Sequence, residues 1–138
     1  MTLTSQPAIL RPDEVKANDR GGGARTTPLV TRKCGSTSMI NGITFFEPGA
    51  EIALHKHNCE ESVMVLDGGA IAEIDGIRHM LKPYDTTWIP ADIPHRFINA
   101  SHTNSMRIFW TYASVDATRT TIATGEEGAI DSEHIRPA

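Results

Sequence analysis

What this chain lacks narrows the field before any motif is read. It has 138 residues and no run of about 18 apolar ones, so nothing in it spans a bilayer as a helix. Positive charge is scarce. Lys and Arg number 13 against 17 Asp and Glu, leaving a formal net charge of -4. A surface for nucleic acid or an anionic membrane needs clustered Lys and Arg, so neither partner is expected. The two cysteines, Cys34 and Cys59, form no C-x-x-C pair and read as free thiols suited to a reducing compartment. The opening MTLTSQPAILRPDEVK lacks a basic start, an apolar core and a small-residue cleavage site. The cytoplasm is therefore the expected address. The length suits one domain with a real core and leaves no room for two.

What is present is a series of short β runs. LVTRK, SMINGITFFEP, IALHKH, ESVMVLDG, AIAEIDGIRHML, TTWIP, HRFINA and SMRIFWTYASV follow one another between turn residues, the spacing of an all-β sandwich or barrel. Asn41-Gly42 and Asp75-Gly76, flanked by apolar residues, are the strongest two-residue hairpin signals. Residues 1–27 are polar and Gly-rich without sustained periodicity, and read as an N-terminal arm. Pro12 before Asp13 and Glu14 can open one helical turn. Gly21 to Gly23 has no strand before it and reads as a flexible hinge. Residues 124–138, acidic and Gly-rich, read as a tail packed outside the barrel or partly disordered.

The densest chemistry lies in GAEIALHKHNCEESVMVLDG, Gly49 to Gly68. Successive side chains of a strand point to opposite faces, so His55 and His57 face the same side, their Cα atoms roughly 7 Å apart. After a short turn at Asn58 to Glu60, Glu61 opens the next strand and returns a carboxylate toward them. WIPADIPHRFIN offers a fourth ligand, His95, at the head of another strand. His55, His57, Glu61 and His95 are the candidate metal ligands.

Gly49, His55-x-His57, Glu61 and Gly68 match every fixed position of the first motif of the cupins, and Pro90, His95 and Asn99 match the second more loosely. The chain resembles that superfamily, as a small single-domain metal-binding member. The family has glycines where this chain has Tyr84 and Asp92. The resemblance implies a double-stranded β-helix, a jelly-roll barrel, over residues 28–123. Small barrels of this type resemble others that pair through a sheet edge or exchange an N-terminal strand. ARTTPLVTRK is the segment that suits such pairing, and a homodimer is expected.

Strand parity names the neighbours of the ligands. Ala53 beside the histidines, Val63 and Val65 after Glu61, and Phe97 after His95 point inward and give the cavity apolar walls. SMRIFWTYAS presents either Arg107, Phe109 and Thr111 or Met106, Ile108, Trp110 and Tyr112; an inward Arg107 would clamp a carboxylate. Cys59 reads as a bystander, Glu60 as solvent-facing and Asn99 as a turn or backbone hydrogen-bond residue. His79, His102 and His134 read as surface histidines, and Trp88 and Tyr84 as core or rim packing.

Three imidazoles and one carboxylate leave a divalent ion near +1 with open positions for two substrate oxygens. The donor set admits Fe, Mn, Ni or Zn. The leading expectation is a dioxygenase-type oxidoreductase acting on a small oxygen-rich molecule. A redox-neutral metal-dependent isomerase, lyase or decarboxylase, or a non-catalytic ligand-binding module, is the alternative.

Overall fold

The computed structural model describes residues 6–130. It contains two single-turn 3-10 helices, Pro12–Glu14 and Arg32–Cys34. The first six strands are β1 (Asn18–Gly21), β2 (Ala24–Pro28), β3 (Ile40–Phe46), β4 (His55–His57), β5 (Glu61–Asp67) and β6 (Ala70–Ile74). The rest are β7 (Ile77–Leu81), β8 (Thr86–Ile89), β9 (His95–Asn99), β10 (Met106–Tyr112), β11 (Thr118–Thr121) and β12 (Glu127–Ala129). They build the expected all-β jelly roll from two six-stranded sheets, ordered β1-β2-β3-β10-β5-β8 and β12-β11-β4-β9-β6-β7. No helix among the described residues is long and apolar enough to cross a membrane.

Alternation explains the layers. In β3 (INGITFF) and β10 (MRIFWTY) every second residue is buried, as a period of two requires of a strand with one face on a core. Ile40, Phe46, Met106 and Trp110 meet Ala72 and Phe97 of the other sheet. Full burial of each large side chain contributes about 2 kcal/mol.

The sheet begins earlier than residue 28. β1 and β2 form a hairpin on β3, and Gly21, Gly22 and Gly23, at φ of 77°, 61° and 86°, make its turn and not a hinge. Ala24, Thr26 and Pro28 are buried on one face. The Thr26 and Thr44 hydroxyls lie 3.1 Å apart, so a hydroxyl pair stands where an apolar pattern would have announced a strand. At the other end β12 pairs with β11 and Ile130 is 1% exposed, so the tail adds to the barrel as far as residue 130. His134 lies outside the described residues.

The two hairpin signals part company. Asp75-Gly76 turns between β6 and β7 with φ of 51° and 81°. Asn41-Gly42 lies inside β3. There the Asn41 carbonyl and Oδ1 accept hydrogen bonds from Leu29 and Val30, each at 2.9 Å. A Cβ on Gly42 would come within 2.6 Å of the Thr27 carbonyl oxygen and of the Trp110 ring. The glycine admits an indole and does not make a turn. Tyr84 and Asp92 hold the left-handed backbone at φ of 75° and 66° although neither is glycine. Tyr84 donates its N–H to Val65 O at 2.7 Å and Asp92 to His57 O at 2.7 Å, which offsets the strain.

Candidate metal centre

β4 and β9 are neighbours, with His55 directly opposite His95. β5, in the facing sheet, starts at Glu61. The ring nitrogens of His55, His57 and His95 lie within 4.8 Å of one another and all three residues are buried, somewhat wider than the limit of about 4.2 Å that two bonds of about 2.1 Å to one ion set. Glu61 Oε1 lies 2.9 Å from His95 Nε2 and 3.4 Å from His57 Nε2. The carboxylate thus reaches two of the three imidazoles.

Backbone carbonyls orient the rings. His55 Nδ1 donates to Ala53 O at 2.7 Å, His57 Nδ1 to Thr118 O at 2.9 Å and His95 Nδ1 to Ile93 O at 2.9 Å. A carbonyl only accepts, so each Nδ1 carries the proton and Nε2 is left to coordinate. His57 Nε2 is buried without a hydrogen-bond partner. An orphaned buried nitrogen facing a carboxylate costs free energy unless something binds it, and these residues fit a divalent metal.

Protonation favours the same reading. Burial, with the neighbouring His95 and His57 charges, takes His55 down to about 3 against the pull of the Ala53 carbonyl and Glu61. His55 is therefore neutral in the neutral range and ready to ligate. Burial works against ionised Glu61, yet the His57 and His95 rings beside its carboxylate outweigh it and hold the carboxyl well below its usual range. Burial likewise opposes a charge on His95, and Glu61 overcomes it and raises His95.

Around this cluster the cavity is about 20 Å³, room for roughly one water and far below the several hundred Å³ of a typical ligand pocket. Phe97 lines it as parity predicts. Val63 and Val65, 1% and 0% exposed, lie in the core and not in that lining. Ala53 is a correction. It is exposed because the extended parity begins only at His55, and Ile52 takes the place by the cavity. Arg107 is a second. The β10 register turns Met106, Ile108, Trp110 and Tyr112 inward, and Arg107 stays exposed, its Nε donating to Asp67 Oδ2 at 2.8 Å.

Of the residues set aside, Asn99 is buried and donates to the Glu47 and Asn104 carbonyls at 3.0 and 2.8 Å. Glu60, His79 and His102 are exposed, and half-buried Cys59 is outside the metal group. Trp88 and Tyr84, 66% and 76% exposed, face solvent and do not pack into the core. Trp88 Nε1 donates to Glu60 Oε1 at 2.8 Å.

Several lining residues have no announcement in the motifs. Tyr112 stands opposite Glu61 across the β5–β10 ladder, its ring centroid 4.6 Å from that of His57. Trp110 Nε1 donates to Thr44 Oγ1 at 2.8 Å. Arg20, Arg119 and Ile130 complete the wall. For Arg119, the available signal is the TRTT run, readable as one more strand.

Comparison with known proteins adds three relatives. The family described as Cupin domain matches residues 42–112. Protein SchB of Streptomyces halstedii is 31% identical over 109 residues, 78% of this chain and 79% of that protein. Polyketide synthase CurC of Streptomyces cyaneus is 30% identical over 105 residues, 75% of this chain and 68% of that one. Among solved structures, the polyketide cyclase RemF from Streptomyces resistomycificus superposes with a TM-score of 0.69 at 19% identity, covering 78% of this chain and 79% of that chain. The last is a likeness of fold.

Proposed function

The chain belongs to the cupin family, and from that premise we propose that it is a metal-dependent, redox-neutral enzyme acting on the 1,3-dicarbonyl end of a small oxygen-rich molecule. The observation that carries this is the convergence of three buried imidazoles and one carboxylate on a cavity with little spare volume. His55, His57, His95 and Glu61 would hold one divalent transition ion. When bound, that ion supplies a Lewis acid for paired oxygens and stabilises an enolate. The protein's own part is orientation and exclusion of water. The three carbonyl-anchored rings keep their donors aimed inward, and Ile52, Phe97, Ile108 and Trp110 form dry walls. Tyr112, opposite Glu61 and with its ring against that of His57, is suited to exchange a proton with substrate.

The sequence relative named as a polyketide synthase supports a dicarbonyl substrate. A second reading, the oxygenase, is favoured by the donor set, since three imidazoles and a carboxylate suit Fe and Mn as well as Zn and Ni. The test is to incubate the metal-loaded protein with short di- and triketones while recording oxygen uptake and product mass. Enolate exchange or loss of water without oxygen uptake is the expected result. Oxygen uptake with two oxygens gained by the product makes it a dioxygenase, and ligand binding without turnover makes it a binding module.

The homodimer belongs to the same proposal. ARTTPL pairs within its own chain, on β3, so edge pairing is favoured over strand exchange. A single chain's mass by light scattering at micromolar concentration would discard it.

A further inference from the structure

The packing behind the cavity narrows what the metal centre admits, and this step rests on the metal-assisted reading above. The inward positions of β3 are Ile40, Gly42, Thr44 and Phe46. Bulky side chains stand at the two ends and none in the middle, so the strand leaves a hollow over Gly42 and Thr44. Trp110 lies directly opposite Gly42 in the β3–β10 ladder, and its indole fills that hollow. A Cβ on Gly42 would come within 2.6 Å of Trp110 Cζ2 and 2.9 Å of Cη2, so a side chain there would displace the ring.

Three positions on two strands serve this one side chain. Gly42 gives it room, and Thr44 Oγ1 accepts the indole N–H at 2.8 Å. The Thr26 hydroxyl, on the residue paired with Thr44 across the β2–β3 ladder, lies 3.1 Å from that acceptor. A buried indole N–H needs an acceptor, and this one fixes the plane of the ring. On its other side the indole meets the metal cavity, which Trp110 and Thr44 both line. The ring centroids of Trp110 and Tyr112 are 5.2 Å apart, and that of Tyr112 is 4.6 Å from that of His57. The indole is thus a partition one side chain thick between hollow and cavity. Packing alone asks only that the hollow be filled, which two aliphatic side chains on β3 would do. A glycine, a hydroxyl pair and an indole fix the cavity wall as well.

We propose that Trp110 sets the size of molecule that the metal centre admits, with Gly42 and Thr44 as its positioning residues. The substrate therefore presents a small oxygen-bearing group to the histidine cluster. Single methylenes in an apolar pocket change affinity about tenfold or more, and Trp110 is the largest side chain on this wall.

The test uses the whole protein loaded with Co²⁺, whose visible spectrum reports ligand exchange at the site. Acetylacetone is the small probe and benzoylacetone the bulky one. Wild type should prefer acetylacetone, and Trp110→Ala should shift the ratio of the two affinities about tenfold or more toward benzoylacetone with cobalt stoichiometry unchanged. If Trp110→Ala does not fold, Trp110→Phe, which keeps a shorter ring in the hollow, carries the comparison with a smaller shift in the same direction. Ile40→Val is the control: it removes volume from the core of the same sheet at a residue that is 0% exposed and does not line the cavity, and its ratio should equal that of the wild type. An unchanged ratio in the folded Trp110 variants, an equal shift in Ile40→Val, or a wild type that binds both diketones alike overturns the assignment and leaves the metal site standing. A wild type that takes up no cobalt overturns the metal reading, and this assignment with it.

Discussion

β4, β5 and β9 bring His55, His57, Glu61 and His95 to one point from the middle of the sheets, whereas β1, β11 and the residue after β12, at the β1 end of one sheet and the β12 end of the other, bring Arg20, Arg119 and Ile130 to the same cavity. The interior strands are fixed by ladders on both sides and their histidines by backbone carbonyls. The sheet ends depend on the β1–β2 hairpin and on a three-residue β12. Strands laddered on both sides hold the ligands, and the short strands at the sheet ends supply the remaining charged and apolar groups of the cavity wall.

The comparison breaks most sharply at His57→Ala. Losing one ligand should weaken metal binding about 100-fold or more while the barrel stays folded, read by metal titration and circular dichroism. Unchanged affinity would mean the histidines are core packing. Ile130→Ala attacks the other region. Removing a side chain that is 1% exposed should cost about 3 kcal/mol of stability, measured by denaturant unfolding, and leave metal stoichiometry intact. Loss of metal in that variant would erase the division between centre and edge.

Acid sharpens the contrast without mutation. His55 is lowered from 6.5 to about 3, so the unfolded chain takes up a proton that the folded one refuses. Its neutral form supports folding fully above 6.5, and that support is lost as pH falls toward 3. Glu61, held low, loses its contribution on further acidification. Raised His95 works in the opposite sense, stabilising below 6.5 and ceasing to do so as pH rises through its folded value. Metal-stripped protein should therefore melt at a lower temperature at pH 5 than at pH 7, and loaded protein should release its ion over the same acid range. A flat melting profile across that interval would contradict the buried neutral His55. The smallest effect is at Tyr84→Gly, on the opposite edge. Relieving a left-handed tyrosine at φ 75° should raise stability by about 0.5–1 kcal/mol by thermal unfolding, after the entropy cost of glycine.

Legibility in the sequence follows the same division. His55, His57, Glu61 and His95 are readable because each lies on or at the head of a strand, where parity converts spacing into direction. The same rule fails at Ala53, which lies outside a strand, and leaves Arg107 undecided, because both faces of MRIFWTY carry apolar residues. Asn41-Gly42 and Asp75-Gly76 look alike in sequence. What separates them is the Trp110 ring over Gly42, a contact between residues far apart in the chain. Arg20, Arg119 and Ile130 escape notice because short polar strands such as NDRG and TRTT carry no hydrophobic pattern; their pairing comes from the ladders beside them.

The central claim is that this barrel holds one divalent transition ion in the His55, His57, Glu61 and His95 cluster. Elemental mass spectrometry on protein purified without added metal or chelator tests it most directly. One equivalent of such an ion per chain is the predicted result, with its identity separating Lewis-acid from oxygen chemistry. A wild-type protein that carries no metal, and takes up none when Mn²⁺, Fe²⁺, Ni²⁺ or Zn²⁺ is supplied, would contradict it.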